Sequence, residues 1–187
     1  MSTVDYLQSI VKRFRVILDA HDRHLKCFDQ HAVQVESWLK GELLPFFDSE
    51  KTDGRLVDFN TEVTSGSGRV DYLLVLPDGP IATKVWIELK HFQIGRQGKQ
   101  RWIASNYFSD KSIGIYGDVD KLSKIASGDK YLLILATKNP EYEENGDWAN
   151  GVDKFNQKFT PLQIKSLTDP SNFPQSYFLG LLEVTGE

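Results

Sequence analysis

The sequence predicts a mixed α/β fold, an α+β arrangement in which helices cover the faces of a mixed sheet. Between Val4 and Lys40 there is no glycine or proline, and apolar residues recur at helical spacing. Short apolar runs separated by glycine-containing turns follow, and such runs are typical of strands. The run at 130–138 is almost continuously apolar, as expected for a strand that is covered on both faces.

The first fifty residues are expected to form two helices. The first spans about 4–26, and its apolar residues recur every three or four positions. These positions are Leu7, Ile10, Val11, Phe14, Ile17 and Leu18. The second helix spans about 29–46 and has Asp29 as its N-cap. A polar segment at 48–55 then ends the helical pattern.

The remaining elements follow from changes in the apolar pattern along the chain. Besides the hairpin described below, strands are expected at 56–63, 130–138 and 176–184. Helices are expected at 97–109 and 118–126. The stretch that follows the polar loop after residue 138 is compatible with either loop or helix.

The composition predicts one globular domain. The chain has 187 residues, of which 40% are hydrophobic and 26% are charged, as in an ordinary soluble domain. Its single cysteine, Cys27, excludes an internal disulfide framework and favours a reducing compartment, so we expect a cytoplasmic protein. Charged residues interrupt the N-terminal apolar residues, and no apolar run has the length of a signal peptide or a membrane span.

The charge distribution argues against a general nucleic-acid coat protein. The net charge is −4, but the field near a site matters more than this total. Segment 91–111 is basic, whereas segment 141–147 is strongly acidic. Contact with a nucleic acid through one local patch therefore remains compatible with the sequence.

The segment 68–92 places charged residues inside two apolar strands. Asp71 interrupts the first run, and Glu88 and Lys90 lie near the end of the second. Burying such charges costs several kcal/mol unless they are paired or bound to metal. With the turn at 77–80, Asp71 and Glu88 become diagonal neighbours on one face, with backbones roughly 7–8 Å apart. Lys90 lies two residues further along the same face.

The other face of this hairpin is expected to belong to the core. It carries Val70, Tyr72, Leu74, Leu76, Val85, Ile87 and Leu89. A rival acid, Asp78, lies at the hairpin tip and is separated from Glu88 by about 30 Å of extended strand. Asp78 is therefore rejected, and Asp71 is kept as the partner of Glu88.

Asp71 on one strand, followed by Glu88-Leu89-Lys90 on the next, resembles the PD-(D/E)XK nuclease superfamily, which has the restriction-endonuclease-like fold. An acid-bearing helix precedes them, and Val70 stands where the family name has proline. The resemblance implies an αβββαβ core with an extra N-terminal helix. It divides the single domain 1–187 into a helical extension at 1–28, the core at 29–137, and a C-terminal loop and last strand at 138–187.

The resemblance implies a metal-dependent nuclease that hydrolyses phosphodiester bonds in DNA, of restriction or other defence type. Asp71, Glu88 and the backbone carbonyl of Leu89 would hold Mg²⁺ or Mn²⁺. The metal would activate a water for attack on the phosphodiester. Lys90 would orient that water or neutralise the developing negative charge.

A glutamate from the second helix is expected to join this metal site, as is frequent in the family. Glu36 and Glu42 are the candidates, and their spacing of six residues prevents both from pointing the same way. We favour Glu36 because Leu39 and Leu43 follow it at core spacing, and Glu42 stays the alternative.

Polar residues around the site are expected to contact DNA. They are Arg69, Arg96, Lys99, Gln100 and Arg101, with Gln97 as a further candidate. The N-terminal helix, which has apolar residues to spare, is a candidate surface for a homodimer or a protein partner. The alternative function is a catalytically inactive module of the same fold that binds a protein or a nucleic acid. The acidic segment 141–147 favours this alternative, because acidic residues repel phosphate.

Histidines and aromatic residues outside this motif are expected to be structural. His21 and His24 share a face of the first helix, but no companion cysteine, histidine or glutamate pattern completes a four-ligand zinc site. His91 follows Lys90 and therefore points to the opposite face of its strand. The aromatic residues expected in the core are Trp102, Tyr107 and Phe108.

Overall fold

A computed structural model confirms the mixed α/β fold. The described residues are 3–31, 33, 35–66, 68–77, 82–95, 103–139, 142–143, 146–159, 164–166 and 177–184. They form the helices α1 (Thr3–Ala20), α2 (Asp22–Gln30), α3 (Glu36–Thr52), α4 (Tyr116–Ser123) and α5 (Asp147–Lys158). Their strands are β1 (Asp58–Ser65), β2 (Gly68–Leu76), β3 (Thr83–Ile94), β4 (Asp129–Lys138), β5 (Ile164–Ser166) and β6 (Tyr177–Glu183). A 3-10 turn, Ala104–Asn106, lies between β3 and α4.

The strands form one mixed sheet in the order β1-β2-β3-β4-β6-β5. β3 and β4 run parallel, and the other neighbouring pairs are antiparallel. The connection from β3 to β4 carries α4, because parallel strands need a long crossover. From α3 to β4 the order is helix, three strands, helix, strand, which is the order that the resemblance implies for the core.

Alternating side chains of the sheet supply two hydrophobic cores, one on each face. The first core packs α1, α2 and α3 against sheet residues such as Ile87 and Leu133. The second core packs α4, α5 and the 3-10 turn against residues such as Trp86 and Leu132. β4 is buried on both faces, which explains the continuous apolar pattern of its sequence.

The first expected helix, 4–26, is wrong because the segment forms two helices. α1 ends at Ala20, α2 begins at Asp22, and His21 occupies the cap position between them. Apolar spacing did not reveal this break because neither glycine nor proline marks it. The N-terminal segment therefore holds two helices, α1 and α2, where one was expected.

The second expected helix, 29–46, is displaced along the chain. The helix that carries Leu39 and Leu43 begins at Glu36, and Asp29 lies inside α2, so its assignment as an N-cap is wrong. Asp29 is buried, and its carboxylate accepts a 3.3 Å hydrogen bond from the Thr137 hydroxyl of β4. Its polarity serves a tertiary contact that local sequence does not show.

The apolar residues of α1 are used inside the molecule. The five that are buried in the first core are Leu7, Ile10, Val11, Phe14 and Leu18. Val16 remains exposed. This burial removes the surplus of apolar surface on which the expected dimer or protein partner rested.

The other expected elements agree with the structure to different degrees. β1, β4 and β6 begin and end within two residues of the expected strands, and α4 begins two residues before the expected helix. The expected helix at 97–109 is wrong over 103–109, where the 3-10 turn lies, and 97–102 fall outside the described residues. The stretch left open as loop or helix contains α5. Among the described residues, no helix combines the length and apolarity needed to cross a membrane.

Candidate functional site

Strands β2 and β3 pair in a register two residues away from the expected one. Leu76 lies opposite Thr83, where the assumed turn placed Ile81. The connection between the paired strand ends is two residues longer than assumed, and the sequence does not fix that length. A shift of two residues keeps each side chain on its face. It also brings Asp71 level with Glu88 instead of diagonal to it.

Strands β1 and β2 depart from regular geometry around Asp71. Val70 belongs to the second core and Tyr72 to the first, although alternation places them on one face. The expectation that Val70 shares the core face of Tyr72 is therefore wrong, and β2 twists at Asp71. Glu62 lies between the two β1 residues that pair with Val70 and Tyr72, and its φ of 52° is in the left-handed region. Backbone outliers of this kind concentrate at functional sites.

The carboxylates of Asp71 and Glu88 each bind a backbone N–H of the other strand. The N–H of Leu89 donates to Asp71 Oδ2 at 2.8 Å, and the N–H of Asp71 donates to Glu88 Oε2 at 3.3 Å. These bonds begin where the regular ladder between β2 and β3 ends. Both acids are buried, with 7% and 8% of their surface exposed. The structure therefore brings the two predicted acids together.

A lysine from each helical layer neutralises one of the two acids. Lys40 of α3 forms an ion pair with Asp71 Oδ1. Lys121 of α4 donates to Glu88 Oε1 at 2.5 Å and to the carbonyl oxygen of Arg69 at 3.0 Å. Because α3 and α4 pack on opposite faces of the sheet, the acid pair lies where both layers reach the same part of β2 and β3.

Lys90 has an acidic partner of its own, Asp118, which also contacts Lys121, the partner of Glu88. Lys90 Nζ is 3.1 Å from Asp118 Oδ2 of α4, and Lys121 Nζ is 3.9 Å from Asp118 Oδ1. Glu36, the first residue of α3, interacts electrostatically with Lys90 and Asp71. The predicted catalytic residues therefore lie in one network of alternating charges.

Burial dominates the electrostatics of this network. Burial, followed by the charge of Asp71, raises the pKa of Glu88 to about 7, and Lys121 opposes this shift only in part. Burial also raises the pKa of Glu36. Burial favours the neutral form of Lys40, but its hydrogen bonds to Asp71 and Glu62 outweigh this effect and raise the pKa of Lys40. Additional positive charge at this point would lower the pKa of Glu88 and keep it ionised.

The donor set of this site fits a hard cation that keeps part of its water shell. Within the described ranges, no three His, Cys, Asp or Glu side chains are arranged together as metal ligands. Mg²⁺, however, commonly uses one or two carboxylates and completes its shell with waters and substrate phosphates. Each carboxylate oxygen of Asp71 and Glu88 also has a second lone pair beyond the contact described above. Two carboxylates therefore fit Mg²⁺ or Mn²⁺, provided that the lysine ammonium groups move aside.

The two candidate helix glutamates lie in different surroundings. Glu36 is half-buried beside the acid pair, as preferred from the sequence. Glu42 Oε2 lies 3.9 Å from His21 Nε2, at the junction of α1 and α2. The role of Glu36 as a metal ligand stays a prediction.

Of the residues predicted to contact DNA, only Arg69 lies among the described residues. Arg69 has a side chain that is 69% exposed, and its Nε lies 2.7 Å from Glu62 Oε2. Its contact with DNA stays a prediction. The predicted contacts outside the described residues are Arg96, Gln97, Lys99, Gln100 and Arg101.

His91 and two of the aromatic residues have the structural roles that were predicted. His91 Nε2 is 2.9 Å from the Thr137 hydroxyl, and burial lowers the pKa of His91 to about 4. Tyr107 and Phe108 are buried in the second core. Trp102 lies outside the described residues.

Three residues of the network, which are Lys40, Asp118 and Lys121, were not identified from the sequence. Lys40 follows Glu36 by four residues, and Lys121 follows Asp118 by three, so each pair shares one face of its helix. These spacings are visible in the sequence. They do not distinguish an inward face from a solvated one, however, and charged side chains are usually solvated.

Comparisons of this chain with protein-family models, with curated proteins and with solved structures found no match. The fold by itself does not define an activity, because one fold hosts many functions. Any function must therefore be argued from the geometry and electrostatics of the acid pair and its surroundings.

Proposed function

We propose that this chain is a metal-dependent nuclease of the PD-(D/E)XK type that hydrolyses phosphodiester bonds in DNA. The observation that carries the proposal is the convergence of Asp71 and Glu88 where β2 and β3 part, with Lys90 linked to them through Asp118 and Lys121. A protein in which apolar residues replace a buried charge network is often as stable or more stable. Stability alone therefore does not explain why these charged residues are present, whereas a functional role does. The order of elements from α3 to β4 supports the same proposal.

The chemistry assigns a separate task to each residue. Asp71 and Glu88, with the carbonyl of Leu89, would hold Mg²⁺ or Mn²⁺, and Glu36 would add a carboxylate from α3. When bound, the ion supplies an activated water and stabilises charge on the phosphate. Lys90 would neutralise the negative charge that develops during attack, as a preorganised ammonium group does.

Arg69, the basic segment after β3 and the cysteine support the proposed substrate and setting. Arg69 is exposed at the start of β2 and would contact a DNA phosphate, as would the basic segment that follows β3. A nuclease of restriction or other defence type fits these features. Cys27 is a free, exposed thiol, which fits a reducing compartment such as the cytoplasm.

The second candidate function is a catalytically inactive module that binds a protein or a nucleic acid. It is favoured by the two ion pairs, Lys40 with Asp71 and Lys121 with Glu88, because they neutralise both acids without a metal. In that case the charges only maintain local structure, and no divalent ion binds.

Calorimetric titration with Mn²⁺, combined with a cleavage assay on plasmid and single-stranded DNA, distinguishes the two functions. We expect the wild type to bind Mn²⁺ and to cleave DNA with Mg²⁺ or Mn²⁺ but not with chelator. Asp71→Asn should bind Mn²⁺ at least ~10-fold more weakly, because loss of a ligand costs no less than loss of an outer-shell partner.

Two lysine variants separate chemistry from metal binding. Lys90→Ala should retain Mn²⁺ but cleave DNA more slowly. Lys124→Ala is the matched control, because Lys124 pairs with Asp120 at 2.6 Å on the exposed side of α4, and it should cleave like the wild type. Absence of Mn²⁺ binding in a folded wild-type protein would favour the inactive module. Full metal-dependent cleavage by Glu88→Ala would refute the assignment of the site.

A further inference from the structure

Two imidazole rings lie against each other at the junction of α1 and α2, away from the acid pair. Nδ1 of His21 is 3.3 Å from Nδ1 of His24, and the ring centroids are 5.2 Å apart. His24 is exposed, and the His21 side chain is 33% exposed. Neither ring takes part in the charge network around Asp71 and Glu88, and the two Nδ1 atoms share a hydrogen bond with each other.

The separation of the two nitrogens matches that of two ligands on one metal ion. Nitrogens bound to Zn²⁺ at about 2.0–2.1 Å with a tetrahedral angle stand about 3.3–3.4 Å apart. The contact between His21 and His24 has this length. In the metal-free protein the hydrogen bond between the two rings holds the nitrogens at this separation. The two rings are therefore spaced for a chelate.

Backbone and aromatic contacts hold both rings in place. The N–H groups of His24 and Leu25 donate to the His21 carbonyl at 2.8 and 3.1 Å, which fixes the turn between the helices. Trp38 of α3 meets the His21 ring edge-on, with centroids 5.7 Å apart. Phe28 lies against the His24 ring at 6.4 Å. This preorganisation reduces the entropy that binding would cost.

Glu42 of α3 is placed to support the chelate from outside. Its Oε2 lies 3.9 Å from Nε2 of His21, the ring nitrogen that faces away from His24. A histidine that binds metal through one nitrogen commonly donates its other N–H to a carboxylate, which fixes the tautomer and strengthens the ligand. A small rotation of the glutamate, or one bridging water, would complete this hydrogen bond.

We propose that His21 and His24 chelate a divalent transition-metal ion of the zinc, nickel and copper class, with Glu42 as the outer-shell partner. Imidazole ligands suit these metals, whereas Mg²⁺ prefers oxygen. Two protein ligands leave the remaining coordination positions to water, because the His24 side is open to solvent. Affinity should follow the order Cu²⁺ above Ni²⁺ and Zn²⁺, with Mn²⁺ weakest. The bound ion would join the α1–α2 junction to α3.

Calorimetric titration of Ni²⁺ into the full chain, prepared without a polyhistidine tag, tests this proposal. We expect histidine-dependent binding of one Ni²⁺ per chain. His24→Gln should weaken Ni²⁺ binding at least ~10-fold. Loss of an outer-shell partner already lowers metal affinity by about this factor, and loss of one of two direct ligands should lower it at least as much. Glu42→Gln should weaken binding by a smaller factor. His31→Gln, in an exposed residue at the end of α2, is the matched control and should bind like the wild type.

A second measurement on the unaltered protein does not depend on how the variants fold. Paramagnetic Ni²⁺ should broaden the imidazole proton signals of His21 and His24 before those of His31. Glu88→Gln should leave this binding unchanged, which separates it from the site of the proposed nuclease. Equal Ni²⁺ affinity in the wild type and His24→Gln would overturn the proposal. Earlier broadening of the His31 signals would overturn it as well.

Discussion

The surroundings of Glu88 destabilise the ionised form of its carboxyl group. It is 8% exposed and lies level with Asp71, and burial together with that neighbouring charge raises its pKa to about 7. Lys121 offsets this effect only in part. Near neutral pH a substantial fraction of the metal-free protein therefore holds a proton on Glu88. Binding of a cation at the acid pair should release that proton, because metal ligands bind in their deprotonated form.

The raised pKa of Glu88 predicts a pH dependence of stability in the metal-free protein. Glu88 ionises near 4.5 in an unperturbed chain and near 7 in the folded state. Between pH 4.5 and 7 the unfolded state loses the proton of this carboxyl group before the folded state does. The contribution of protonated Glu88 to the free energy of unfolding is therefore fully present below about pH 4.5 and is lost as the pH rises through 7. The shift corresponds to on the order of 3 kcal/mol of unfolding free energy.

Urea unfolding at successive pH values, in the presence of chelator, measures this effect. Glu88→Gln should remove the part of the slope that Glu88 causes. Asp29, whose pKa burial raises to about 6, and His91, whose pKa burial lowers to about 4, contribute equally to both proteins and cancel in the comparison. An identical pH profile in the wild type and the variant would contradict the raised pKa of Glu88.

At the scale of elements, the apolar pattern located strands better than helix ends. β4 was placed to within one residue, because both of its faces are buried and its apolar run stops where the strand stops. The break at His21 and the late start of α3 were missed, because no glycine or proline marks them and Asp29 resembles a cap while it serves a buried contact. Tertiary contacts decide such boundaries, and local spacing does not contain them.

For the acid pair, too, the sequence predicts what depends on strand alternation but not what depends on tertiary packing. The period of two residues in a strand correctly placed Asp71 and Glu88 near each other, because a register shift of two preserves faces. The length of the β2–β3 connection and the twist at Asp71 were not predictable from that period. Lys40 and Lys121 were missed because they come from helices whose docking positions only the folded molecule defines.

The helix glycines Gly151 and Gly41 should respond in opposite ways to alanine. A Cβ on Gly151 of α5 would lie 2.2 Å from Phe108 Cδ2, whereas a Cβ on Gly41 of α3 has nothing within 4 Å. Gly41→Ala should stabilise the protein by up to about 1 kcal/mol, the difference in helix propensity. Gly151→Ala should destabilise it by about 1–3 kcal/mol, because the added methyl overpacks the contact with Phe108.

Chemical unfolding of both glycine variants beside the wild type measures the two effects. The comparison tests how closely α5 packs against the residues after the 3-10 turn, in a part of the chain where the sequence left loop and helix open. If Gly151→Ala were as stable as Gly41→Ala, that close approach would be refuted.

At the scale of the whole molecule, the acid pair depends on both helical layers. The first layer supplies Glu36 and Lys40 from the start of α3, and the second supplies Asp118 and Lys121 from α4. The sheet supplies the acids and Lys90 between these layers. A divalent ion at the acids must compete with Lys121 for Glu88 and with Lys40 for Asp71. The same lysines therefore stabilise the metal-free fold and oppose metal binding.

This competition predicts that Lys121→Met binds Mn²⁺ more tightly than the wild type. Removal of the ammonium group frees Glu88 Oε1 and takes away a positive charge that repels the ion. We expect an increase in affinity of about 10-fold, which corresponds to about 1.4 kcal/mol. Calorimetric titration at pH 8, where Glu88 is largely ionised, measures this change.

Lys124→Met is the matched control for Lys121→Met, because Lys124 is the C-cap residue of the same helix and pairs with the exposed Asp120. Its Mn²⁺ affinity should equal that of the wild type. Lys121→Met should also unfold at lower urea concentration when no metal is present, since Glu88 then remains buried without its partner. The two effects have opposite signs, so a general loss of structure cannot imitate them. Weaker Mn²⁺ binding by a folded Lys121→Met protein would mean that Lys121 supports the ion instead of competing with it.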